Sequence, residues 1–152
     1  MRESLLEYFR QPVLTLNTYF LDYSVVHRIS TLIKTQPDAP QRLQRQWFLK
    51  DNELICRVNY LDGCVHGIVE LWYGHGPFHY RQRLYVRQYY RIGQKHGMYQ
   101  CWNCKGRLLE QKCYANGKLH GAHENWNIGG QLISKQHYKN GQKHGGQLDI
   151  QR

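Results

Sequence analysis

No run of 18 or more apolar residues occurs in the 152-residue chain, so no membrane-spanning helix is expected. The opening Met1-Arg2-Glu3-Ser4-Leu5-Leu6 lacks a secretory apolar region and a small-residue cleavage site. The expected location is intracellular, in the cytoplasm of a host cell or within a particle assembled there. Acids are scarce, with 11 Asp and Glu against 21 Lys and Arg, and the net charge is +10. The five cysteines are an odd number, which does not suggest a disulfide framework. No phosphate-binding glycine loop of the Walker or dinucleotide type is present. Ser4, Ser24, Ser30 and Ser134 stand in no nucleophile-elbow context. Glu70, Glu110 and Glu124 form no paired arrangement that spacing can identify. These absences argue against an enzyme, and no catalytic residue, cofactor or small-molecule substrate is expected.

What the chain has instead is a period. Tyr90, Trp102, Gly106 and Leu108 recur as Tyr114, Trp126, Gly130 and Leu132, and a third start falls at Tyr138. His96-Gly97, His120-Gly121 and His144-Gly145 follow the three tyrosines at one fixed distance, so the period is 24 residues. A fixed period of this size marks a repeat architecture in which each unit packs against its neighbours. An earlier copy runs through Tyr60, Gly63, His66-Gly67, Trp72, Gly76 and Phe78, with Phe78 at the leucine position. The step from Phe78 to Tyr90 is six residues longer than that from Leu108 to Tyr114. A worn half-copy (Phe48, Asn52, Leu54) precedes it, so the array is expected to begin near Gln41.

Each unit reads as a β-hairpin. Asn116-Gly117 and Asn140-Gly141 are strong turn signals, because glycine accepts positive φ without steric cost, and Gly129-Gly130 adds another turn. The runs between turns are about six residues, a common strand length, and are rich in Trp, Tyr, Leu and Ile. The expected fold is mainly β: a single-layer antiparallel array over 41–152, preceded by a helical segment over 1–40. Trp102, Leu108 and Tyr114 are six apart, which on strict alternation places them on one face. Stacking then gives ladders of Trp72, Trp102 and Trp126 and of Tyr60, Tyr90, Tyr114 and Tyr138. The repeated histidine is expected to cap a turn or pack an edge.

The unit Tyr-x-Asn-Gly-x-x-His-Gly-x4-Trp resembles the MORN repeat, in the variant found in bacterial antitoxin-like proteins and in large DNA viruses of amoebae. The resemblance covers 55–150 well, 41–54 weakly and 1–40 not at all. It implies a curled single-layer array used for protein contacts, membrane association or scaffolding.

Residues 1–40 have a different composition. Leu5, Leu6 and Phe9 suggest a short helix ended by Pro12. Asn17-Thr18 reads as an N-cap for a helix over 18–34 with an apolar stripe of Tyr19, Tyr23, Val26, Ile29 and Ile33. The segment reads either as a cap over the open edge of the array or as a partner-docking helix pair. The docking reading resembles a divergent F-box-like segment, without the Leu-Pro opening of that family.

Four bases and four acids cancel within 1–40, so the whole net charge lies in the array. It is densest over 79–91, which has no acid. As an extended strand, one face carries Arg81, Arg83, Tyr85, Arg87, Tyr89 and Arg91. Cations interleaved with aromatics suit a nucleic acid or anionic lipid, and also an acidic protein partner. Cys101, Cys104 and Cys113 invite a zinc reading. Free thiols at variable repeat positions fit better, since the neighbouring units lack them. The favoured reading is a non-enzymatic scaffold that meets another protein or itself, as a component of a larger, viral assembly. Polyanion binding through 79–91, and an antitoxin-like role implied by the resemblance, are the alternatives.

Overall fold

A computed structural model describes residues 42–48, 54–72, 83–146 and 148–149. The helices expected within 1–40, and Arg81, lie outside the described residues. Eight strands form the body of one antiparallel sheet: β1 (Arg42–Phe48), β2 (Leu54–Leu61), β3 (Cys64–Trp72), β4 (Leu84–Arg91), β5 (Gln94–Trp102), β6 (Leu108–Ala115), β7 (Lys118–Trp126) and β8 (Leu132–Lys139). Each lies beside its neighbour in sequence. Two short segments, β9 (Gln142–Lys143) and β10 (Leu148–Asp149), both pair with β8. Among the described residues no helix is long and apolar enough to cross a membrane.

The turns explain why the sequence folds this way. Asp62-Gly63, Ile92-Gly93, Asn116-Gly117 and Asn140-Gly141 all take positive φ at both residues. That is the type I′ geometry, whose twist matches that of the flanking strands. The two described turns at the other end are closed differently. Asn103 Oδ1 accepts the backbone N–H of Lys105 and of Arg107, each at 2.9 Å. Asn127 does the same one period later, from Gly129 at 2.9 Å and Gln131 at 3.0 Å. A short polar side chain that captures nearby amides holds a loop without a partner strand.

The pairing register repeats with the sequence. Gly67 faces Tyr90, Gly97 faces Tyr114 and Gly121 faces Tyr138. Trp72 faces Leu84, Trp102 faces Leu108 and Trp126 faces Leu132. The leucine position of the early unit is therefore filled by Leu84, not by Phe78. The six extra residues fall between β3 and β4, where they leave the ladder in register.

Two irregularities recur from unit to unit, and the second upsets strict alternation. The first lies at His-Gly: Gln88 faces Tyr99, yet Tyr90 faces Lys95, so the strand after the turn carries two additional residues. Gly97 sits there at φ 68°, and a Cβ added to it would lie 3.5 Å from the Cβ of Tyr89. The second is one surplus residue just before the tryptophan pair, as between Cys101 and Trp102. Trp102 thus falls on the opposite face from Cys101, which faces Glu110 in line with Lys112 and Tyr114. The expectation that tryptophan and tyrosine share a face fails for this reason. The tyrosines line one face with glycine between them, and the tryptophans line the other.

The tyrosine face holds the core. Cys56, Val58, Tyr60, Val65, Val69, Leu71 and Val86 are buried, with Cys56 and Val58 at 0% exposure. Tyr85, Tyr90, Tyr99 and Cys101 pack against this cluster. Burial is worth roughly 1.5–3 kcal/mol for a Val or Leu side chain, which makes this cluster the main apolar stabiliser among the described residues.

Candidate functional site

The basic strand expected at 79–91 becomes β4, and its side chains do not form one row of free cations. Arg83 donates to the carbonyl of Lys105, tying β4 to the next far-end turn. Tyr85 is the surplus residue opposite Trp72 and packs against the core cluster, on the other face from Arg87. At a bulge two successive side chains lean to the same side, and alternation counted from the sequence misplaces one of them. Burial pushes the Tyr85 hydroxyl above its ordinary pKa. Tyr89 is 38% exposed and Arg91 is exposed at the turn.

Arg87 is held by Glu70. Its Nε and Nη2 donate to Oε1 of Glu70 at 3.1 and 2.9 Å. Arg57, from β2, donates through Nε to Oε2 at 3.0 Å and also through Nη2. Two guanidinium forks thus grip one carboxylate that is only 6% exposed. A buried charge survives when it is paired and its remaining oxygens are hydrogen-bonded. The Arg57 guanidinium also lies 5.2 Å from the centre of the Trp72 ring, which adds a cation–π contact.

This triad opens a polar row across the tryptophan face. Arg57, Glu70, Arg87, Gln100, Gln111, Glu124 and Lys135 stand side by side on seven strands. Gln100 donates to Gln111 at 3.0 Å, and Lys135 meets Glu124 at 2.7 Å. Each cation of this row meets a carboxylate within it, with Arg57 and Arg87 sharing Glu70, so the row keeps one positive charge in excess. Next to it runs an apolar stripe of Ile68, Tyr89, Met98, Cys113 and Ala122, one residue per strand. Tyr89 and Met98 are its exposed members, at 38% and 37%.

The tyrosine face turns polar beyond Cys101. Glu110 accepts from Lys112 at 2.8 Å and contacts His123 Nε2 at 2.8 Å. Asn125 donates to the Ser134 hydroxyl at 2.9 Å. Lys112 lies 4.5 Å from the Tyr99 ring centre, and Lys95 lies 5.3 Å from that of Tyr114. Burial, then the neighbouring Lys112 charge, pushes the Lys95 pKa down. Ser134 touches Asn125 rather than His123, so these residues do not make a nucleophile with its base.

Cys101 and Cys113 point to opposite faces, because Cys101 faces Glu110 while Cys113 faces Met98. Cys104 lies in the turn beyond β5. Among the described residues no group of three His, Cys, Asp or Glu is placed to hold a metal ion. Among the described residues His66 has a turn role: its Nδ1 accepts the backbone N–H of Ile92, in the next unit's turn, at 3.4 Å. The corresponding atom of His96 is buried without a partner.

Sequence reasoning named Glu70 only as an acid without a paired partner and did not find Arg57. Their pairing depends on register between strands 13 and 17 residues apart. The Asn103 and Asn127 turn closures were readable, since Asn followed by Gly three residues on recurs at the period. No protein-family model matches the chain, and the searches of curated proteins and of solved structures gave no match.

Proposed function

We propose that this chain is a non-enzymatic β-repeat scaffold, of the type its MORN-like unit suggests, that holds another protein or a second copy of itself on its tryptophan face. The observation that supports this most is the pairing of a self-satisfied polar row with an adjoining apolar stripe. Arg57, Arg87 and Lys135 already have carboxylate partners, two of them the same Glu70, so one net charge rather than three is left uncompensated when that face is covered. Tyr89 and Met98 supply the apolar contact, and both residue types are enriched at interfaces. A toxin as the partner is one case of this reading and rests on the resemblance alone.

The test is sedimentation velocity and affinity capture with the wild type and a Tyr89→Ser/Met98→Glu double variant. The expected result is a stoichiometric, salt-resistant complex of the wild type that the variant does not form. A complex that the variant forms equally well, or that dissolves at moderate salt, would overturn the reading.

A further inference from the structure

Arg57, Arg83 and Arg87 are engaged, but a second set of cations is not. Arg91 precedes the Ile92-Gly93 turn, and Lys118 follows Asn116-Gly117. Lys139 and Lys143 flank Asn140-Gly141. All four are exposed, and among the described residues none of their side chains has a hydrogen-bond or ion-pair partner. They share one long edge of the sheet, where the type I′ turns of successive units lie side by side; Arg91, Lys118 and Lys139 stand on the tryptophan side of that edge and Lys143, opposite Tyr138, on the tyrosine side. A Cβ on Gly141 would sit 3.8 Å from the Cβ of Lys118, so the units are in contact along this edge. The stretches 91–97, 115–121 and 139–145 contain no acid. The opposite edge differs, because Arg83 and Arg107 each donate to a turn carbonyl there.

The ridge is also rigid. Gly93 N–H donates to Val65 O, Gly117 to Lys95 O and Gly141 to Leu119 O, each at 2.8 Å. Each turn is thus bonded to the strand that follows the preceding turn. Two strands per unit set the cationic turns about 10 Å apart. From Arg91 on β4 to Lys143 on β9 the row crosses five strand spacings, about 24 Å, comparable with about two-thirds of a turn of duplex. The ligand it fits is a linear array of phosphates. A duplex nucleic acid presents about one negative charge per 1.7 Å of axis, so a line of cations meets phosphates along its whole length. A lipid surface suits a plane of cations, and four along a line give only roughly millimolar attraction.

We propose that the type I′ turn edge, through Arg91, Lys118, Lys139 and Lys143, binds the phosphate backbone of a duplex nucleic acid. The contact carries no base readout, so it is independent of sequence. Four phosphate contacts give a slope of log affinity on log salt of about −3.6, and an affinity loss of about 100-fold between roughly 50 and 200 mM salt.

The experiment is fluorescence anisotropy with a labelled 24-base-pair DNA duplex, titrated across salt. It compares the wild type, an Arg91→Gln/Lys118→Gln/Lys139→Gln/Lys143→Gln variant, and Lys105→Gln on the other edge. A parallel arm measures binding to phosphatidylcholine vesicles containing phosphatidylserine. Circular dichroism checks that each variant stays folded, as exposed polar changes should leave it. The expected result is a slope near −3.6 for the wild type and for Lys105→Gln, with binding lost in the fourfold variant. No duplex binding, binding retained by the fourfold variant, or a preference for the vesicles would each overturn the proposal.

Discussion

The tyrosine face solves one problem in two ways. Across β2–β4 it is apolar but for the buried Gln88, with Cys56, Val58, Val69, Leu71 and Val86 buried together. Across β6–β8 the same rows carry Glu110, Lys112, His123, Asn125, Ser134 and Gln136. Val58 on β2 and His123 on β7 stand in one row, five strand steps apart, and the backbone register around each is alike. The hairpin geometry therefore does not depend on what the face is made of. Turn chemistry and the two recurrent irregularities fix the pairing. Side chains then stabilise it by burial in one half and by hydrogen-bonded charge in the other.

The sharpest way to break this comparison is Val58→Asp. An unpaired carboxylate at a fully buried position costs more than about 4 kcal/mol, enough to unfold the apolar half. Thermal melts should show loss of the cooperative transition. A folded variant with a near-wild-type midpoint would mean that the buried cluster does not hold the sheet.

Alkali should come next. Burial raises the hydroxyl pKa of Tyr85, Tyr90, Tyr99 and Tyr114, chiefly by desolvation. A raised pKa in the fold means that the native state holds its protons longer than the unfolded chain. Stability is then fully present below about pH 10, the ordinary tyrosine value, and falls as pH rises above it. Lys95, lowered in the fold, contributes with the opposite sign, one group against four. Denaturant melts from pH 8 to 12 should show the decline begin near pH 10 and shrink in Tyr99→Phe. A flat profile would count against burial of these hydroxyls.

In the polar half the losses should be smaller. His123→Ala leaves Glu110 with Lys112 and is expected to cost about 1.5 kcal/mol, read by urea denaturation. A cost as large as that of a core truncation would erase the distinction between the halves. The smallest effect has the opposite sign. Ile92 takes φ 46°, at a turn position where the other units use Asp62, Asn116 and Asn140. A β-branched side chain is strained there, while asparagine accepts the conformation. Ile92→Asn should stabilise the protein by about 1 kcal/mol, and a destabilised variant would show that Ile92 has a contact worth more than its strain.

How much of this was legible follows from what each feature depends on. The hairpins and the type I′ turns depend on local residues such as Asn116-Gly117 and could be read directly. The faces could not, because they depend on surplus residues that alternation does not count. Tyr85 and Trp102 were misplaced for that one reason. The Glu70 triad depends on register across the insertion after β3, and spacing from Phe78 led away from Leu84. The basic strand was visible as a run of arginines, but the carboxylate that engages Arg87 was not.

One feature of the edges bears on how the sheet would fail under load. The turns are cross-linked on one edge by Gly93, Gly117 and Gly141, and on the other by Arg83 and Arg107. A plain meander pulled by its ends peels one strand at a time. Here a strand cannot leave without rupturing a link to the next turn, so the natural unit of rupture is the hairpin. Each event would then release one repeat of 24 residues, about 80 Å of extended chain. The repeat written in the sequence would reappear as the step size of a force trace.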